Sequence, residues 1–102
     1  MDLELTEEVK HYIRELSGLV EKEQIAQYIR RQKELEHRLM MPVSKLLKNG
    51  ICEIRPGPHR FLYFYFNSKM IVVHAFRKKS QRTPEREIQT AFRRRKQWLG
   101  GI

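Results

Sequence analysis

Phe61-Leu62-Tyr63-Phe64-Tyr65-Phe66, a turn at Asn67-Ser68-Lys69, and Met70-Ile71-Val72-Val73-His74-Ala75-Phe76 read as strand, turn and strand. Aromatic and β-branched residues fill both alternating faces, which predicts an antiparallel hairpin at the middle of a sheet, covered on two sides. The same two-sided pattern assigns the rings from Phe61 to Phe66 to a core rather than to a stacking platform for bases. Just upstream, Ile51 to Arg55 sets Cys52 and Ile54 on one face and Glu53 and Arg55 on the other, until Pro56-Gly57-Pro58 stops the ladder. That loop delivers His59 and Arg60 to the start of the central strand.

Further out, the pattern changes from period two to helical. Thr6 is placed to cap a helix with Glu7 and Glu8 in its first turn, a stripe of Val9, Tyr12, Ile13 and Leu16, and a stop at Ser17-Gly18. A second helix beginning near Val20 carries Ile25, Tyr28, Ile29, Gln32, Leu35 and Leu39 before Pro42. With so short a join the two are expected to lie as an antiparallel hairpin on something flat and apolar. Val43 to Gly50 reads as a connector with Leu46 and Leu47 tucked inward and a turn at Asn49-Gly50. At the far end Thr83 is expected to cap a helix whose first residue is Pro84, with Ile88, Ala91, Phe92, Arg95 and Leu99 as its stripe and Gly100-Gly101 as its stop; Trp98 is expected to pack on the sheet. The expected fold is one α+β domain over residues 1–102: an N-terminal helical hairpin, three antiparallel strands and a C-terminal helix. A fourth strand would have to come from Met1 to Leu5, which is very short for one.

Charge is unevenly distributed. Residues 1–50 hold nine Lys/Arg and nine Asp/Glu, whereas 51–102 hold twelve and three, so the whole excess of +9 lies in the C-terminal half. Such a split favours a polyanion as partner, nucleic acid or ribosome before acidic protein or membrane surface. Neither a secretory leader nor an apolar run of about 20 residues is visible, so the chain is expected to be soluble and cytoplasmic. Cys52 is the sole cysteine. Four scattered histidines, with Glu53, Glu85 and Glu87 not clustered, suggest no metal site and no cofactor.

The strand readings bring Arg55 and Arg60 to one edge of the sheet, and the next strand returns Arg77, Lys78 and Lys79 to it. Guanidinium groups fork onto phosphate oxygens and lysines add compact charge, a set suited to holding a phosphodiester or a pentacoordinate phosphorane. His59 in its loop, with Arg77, Arg82 and Arg86, is expected to touch RNA. His74, inside an apolar strand, is expected to be a core or near-core histidine.

Glu53-Ile54-Arg55, Arg60-Phe61-Leu62-Tyr63-Phe64 and His74-Ala75-Phe76-Arg77-Lys78-Lys79-Ser80-Gln81-Arg82-Thr83-Pro84, with Glu87-Ile88 and Ala91, resemble the HigB-like, phage-derived branch of the RelE/ParE toxin superfamily. The resemblance implies a RelE-like fold and the toxin of a type II toxin–antitoxin pair. Such a toxin is a metal-independent endoribonuclease that cuts mRNA on the ribosome and is silenced, in a hetero-oligomer, by a helix-turn-helix antitoxin. By position it makes Arg55, Arg60, Lys78 and Lys79 catalytic, with attack of a 2′-hydroxyl on the adjacent phosphodiester, one lysine as base and an arginine stabilising the transition state. Where the family usually has glycine this chain has Ala75, and no C-terminal tyrosine matches the base-stacking residue of the RelE branch. A ParE-like topoisomerase inhibitor without nuclease activity, or a basic nucleic-acid-binding module without catalysis, are the alternatives.

Overall fold

The structure is a computed structural model, and it describes residues 2–35 and 44–101. Its elements, in chain order, are β1 (Asp2–Leu5), α1 (Glu7–Arg14), α2 (Leu19–Leu35), β2 (Ser44–Lys48), β3 (Ile51–Ile54), β4 (His59–Phe66), β5 (Lys69–Arg77) and α3 (Glu85–Gly100). The expected Leu39, Pro42 and Val43 lie outside the described residues.

The sheet has five strands in the order β1-β5-β4-β3-β2, not the three expected. The β4–β5 hairpin sits at its centre as its two-sided apolar pattern requires. Asn67 and Ser68 turn it with φ of 48° and 60°, the left-handed pair that matches strand twist in a two-residue hairpin. The first extra strand is β1, which runs parallel to β5 and pairs Asp2 with Lys69 through Leu5 with Val72. Short as it is, Asp2 to Leu5 thus covers the β5 edge along that length. The second is β2, which replaces the expected connector and hairpins onto β3 through Asn49 and Gly50, both at positive φ. A bulge at Leu47 breaks its alternation. Leu47 packs inward as expected, but Leu46 is 54% exposed.

The N-terminal helices also depart from expectation. They do not close on one another as a hairpin; α1 lies along β5 and α2 reaches β3. Both apolar stripes face the sheet, so each helix buries its own, leaving a cleft of about 430 Å³ lined by Leu3, Leu5, Ile13, Ile25, Ala26 and Ile29. Val9, Ile25 and Ile29 join Cys52, Ile54, Phe61, Tyr63, Met70 and Val72 in the core on this face. On the opposite face α3 covers Ile51, Leu62, Phe64, Ile71 and Val73 through Ala91, with Trp98 edge-on to Phe64 and Phe66. The Trp98 indole N–H donates to Glu4 at 2.5 Å, so packing and a polar bond tie the end of α3 to β1. No helix among the described residues is long and apolar enough to cross a membrane.

Candidate nucleic-acid site

Strand register fixes where the site residues stand. Glu53 pairs with Leu62 and Leu62 with His74, one row across three strands; one step further, Arg60 pairs with Phe76. Directly paired residues share a face. That face is the one α3 covers, because Leu62 and Phe76 pack in the α3 core. A bulge between Val73 and His74 turns both of these side chains toward α3, where simple alternation would send one away.

Glu53 is fully buried and accepts from Arg55 Nε at 2.6 Å and from the Thr83 hydroxyl. Thr83 was expected to cap α3; its hydroxyl instead serves this carboxylate, and Pro84 takes the cap position ahead of Glu85. The bond pins the loop after β5 back onto β3. Arg60 is 5% exposed, and its Nη1 donates to the carbonyls of Gly57 (2.9 Å) and His59 (2.8 Å). Gly57 presents its carbonyl from φ 60°, a conformation that suits glycine. Burial, then the neighbouring Arg55 charge, push the Arg60 pKa down, with Glu53 opposing them. Arg60 is thus a largely dehydrated cation, aimed by backbone and crowded by a like charge. A phosphate reaching it meets little of the water screening that weakens a surface arginine.

His74 is the next group on this face. Arg94 can only donate, so its Nη1 at 3.0 Å makes His74 Nδ1 an acceptor and leaves Nε2–H to donate to Glu87 at 2.8 Å. Burial pushes the imidazole pKa below its ordinary value, with Glu87 pulling the other way. Phe76 stacks on this fixed ring, with centroids 5.4 Å apart and planes inclined by 28°.

The other residues expected at the site divide. His59 does not stand in a loop open to RNA. It opens β4, wholly buried, with Nε2 on Glu21 (2.8 Å) and Nδ1 on the Tyr12 hydroxyl (2.7 Å), and so bolts α1 and α2 to the sheet. Arg77 pairs with His59 and so lies on that α1 side, where its charge reaches Tyr12. The expected convergence is thus at one end of the sheet rather than a lateral edge, and it divides between two faces. The Lys78 amide continues the ladder by donating to Pro58 at 2.9 Å. Lys78 is half-buried and Lys79, Arg82 and Arg86 are exposed; among the described residues none of these four has an ion-pair partner. Arg82 lies near Glu85, which already holds Lys48 at 2.6 Å.

Sequence reasoning missed Glu53 as the organiser and the His74–Glu87–Arg94 group. A carboxylate between Cys52 and Ile54, in the half with twelve cations, was a readable hint of a buried ion pair. The histidine's partners had no local signal, because they sit 13 and 20 residues away on α3. Among the described residues no three of His, Cys, Asp or Glu converge as a metal site would need.

A small sheet with helices on both faces and a buried arginine beside a second one at one end defines an α+β domain with a cationic end. The profile of the phage-derived Gp49-like protein family matches residues 11–96, and the chain belongs to that family. A chain in the crystal structure of the toxin–antitoxin complex RelBE2 from Mycobacterium tuberculosis shares the fold. The TM-score is 0.55 at 14% identity, over 76% of this chain and 96% of that one. No curated protein matches. Family and fold agree with the resemblance seen in the stretch from Glu53 to Ala91, so the domain is a RelE-like one of the phage-derived branch.

Proposed function

We propose that this chain is the toxin of a type II toxin–antitoxin pair and acts as an endoribonuclease on ribosome-bound mRNA. The observation that carries the reading is Arg60, held dehydrated and oriented beside Arg55 at the sheet end where the Lys78–Lys79 loop leaves β5. In this reading Arg55 and Arg60 grip the scissile phosphate. A lysine of the 78–79 pair takes the proton of the 2′-hydroxyl, whose oxygen attacks phosphorus. The bond to the 5′-oxygen breaks, a neighbouring protonated cation gives that oxygen a proton, and the products are a cyclic phosphate and a 5′-hydroxyl end. Support for an antitoxin partner comes from the fold shared with a toxin–antitoxin complex.

Purified protein added to a translating extract is expected to cut mRNA, leaving 5′-hydroxyl ends, at the Mg²⁺ level that the ribosomes themselves need. The Arg60→Ala, Lys79→Ala double variant is expected to leave it intact. Cleavage that needs divalent metal beyond the ribosome's requirement, or an active double variant, contradicts the reading. On induction in cells, arrest of protein synthesis fits the ribonuclease, whereas a DNA-damage response points to a topoisomerase inhibitor.

A further inference from the structure

We infer that Phe76 is the stacking platform for an unpaired nucleobase whose phosphate lies on Arg60, a specificity element for the site proposed above and resting on that reading. Arg60 and Phe76 are direct cross-strand partners on the same face. Their Cβ atoms are therefore about 5 Å apart, a separation comparable to the reach from a base to its own phosphate. The ring is backed by His74, and His74 is clamped from both nitrogens by Glu87 and Arg94, so the platform is held before any ligand arrives.

The other rings on this face have different work. Phe64 and Phe66 support Trp98, and Phe92 lies under the Arg95 guanidinium. Phe76 alone among these described rings stands in the row of Arg60, and part of its surface stays exposed while Val73 and His74 on its strand are buried. An aromatic ring beside a phosphate-gripping arginine accepts any base by stacking, with little sequence preference of its own.

The test uses a short 2′-O-methyl oligoribonucleotide, which cannot be cut, and the same oligomer with its central base removed. The wild-type protein is expected to bind the intact oligomer about tenfold more tightly than the abasic one. Phe76→Leu, which keeps apolar volume against the core, should bind both alike; Phe76→Trp should retain the preference. Arg60→Ala should weaken both oligomers together and leave their ratio standing. Equal binding of the two oligomers by the wild type, or an undiminished ratio in Phe76→Leu, overturns the platform while leaving the ribonuclease reading in place. Failure of the wild type to bind either oligomer overturns the platform and counts against the phosphate grip as well.

Discussion

The two faces of the sheet take alternate residues from the same strands and spend them differently. On the α1/α2 face Ile54, Phe61, Tyr63 and Val72 close against Val9, Ile25 and Ile29, and His59 spends both ring nitrogens on holding Tyr12 and Glu21 in place. On the α3 face the inner rows are equally apolar, yet at the sheet end the sequence places Glu53, Arg60 and His74, all buried, with Phe76 partly exposed beside them. Burying charge is costly unless it is paired and hydrogen-bonded. Arg55 and Thr83 supply those partners to Glu53, Glu87 and Arg94 supply them to His74, and the carbonyls of Gly57 and His59 take the Arg60 guanidinium. The apolar face holds the fold, and the polar end uses it.

The largest effect should come from Arg60. Its replacement by Ala is expected to lower cleavage at least 100-fold, the usual loss when one oriented donor to a developing oxyanion is removed. Next comes Glu53→Ala, which leaves Arg55 and Arg60 crowded without their counter-charge. Chemical denaturation should show a loss of about 3–5 kcal/mol, as for breaking a buried ion pair. A variant as stable as the wild type would show that Glu53 does not organise this end. On the opposite face Ile29→Ala should cost about 3 kcal/mol through the cavity it opens, with cleavage per folded molecule unchanged. An equal fall in specific activity would erase the distinction between the faces.

The smallest expected effect is a pH dependence at His74. Its imidazole faces Glu87, Arg94, Arg93 and the Phe76 ring, and burial holds its folded pKa below the ordinary 6.5. The unfolded chain therefore takes up this proton first. The contribution is whole above the ordinary imidazole pKa and is lost as pH falls from there toward the depressed folded value. The Tm of the wild type should drop more steeply below that point than the Tm of His74→Gln. Parallel slopes would count against a buried neutral His74.

Much of this architecture is written locally. The two-sided β4–β5 pattern, the Pro-Gly-Pro stop after β3 and the three helical stripes each specify their element through side-chain period and turn chemistry. What escaped reading depends on distant partners. Asp2–Leu5 is a strand because β5 offers it a parallel edge 67 residues away, and four residues carry too little pattern to announce that. Leu46-Leu47 hides β2 behind a bulge, where two adjacent apolar residues defeat alternation. Of the site, the cations were legible as a charge excess and the closeness of Arg55 to Arg60 as loop geometry. His59, read as an exposed loop residue, is buried because Tyr12 and Glu21 come from helices folded over it. Arg77 falls on the other face because each step along a strand reverses the side chain.

The most direct test sets Arg60→Ala beside Ile29→Ala in one translating extract at equal concentrations of folded protein. Arg60→Ala is expected to fold and leave mRNA uncut, while Ile29→Ala, though less stable, cuts at the wild-type rate. Undiminished cleavage by Arg60→Ala would contradict the assignment of the α3-side sheet end as the ribonuclease site.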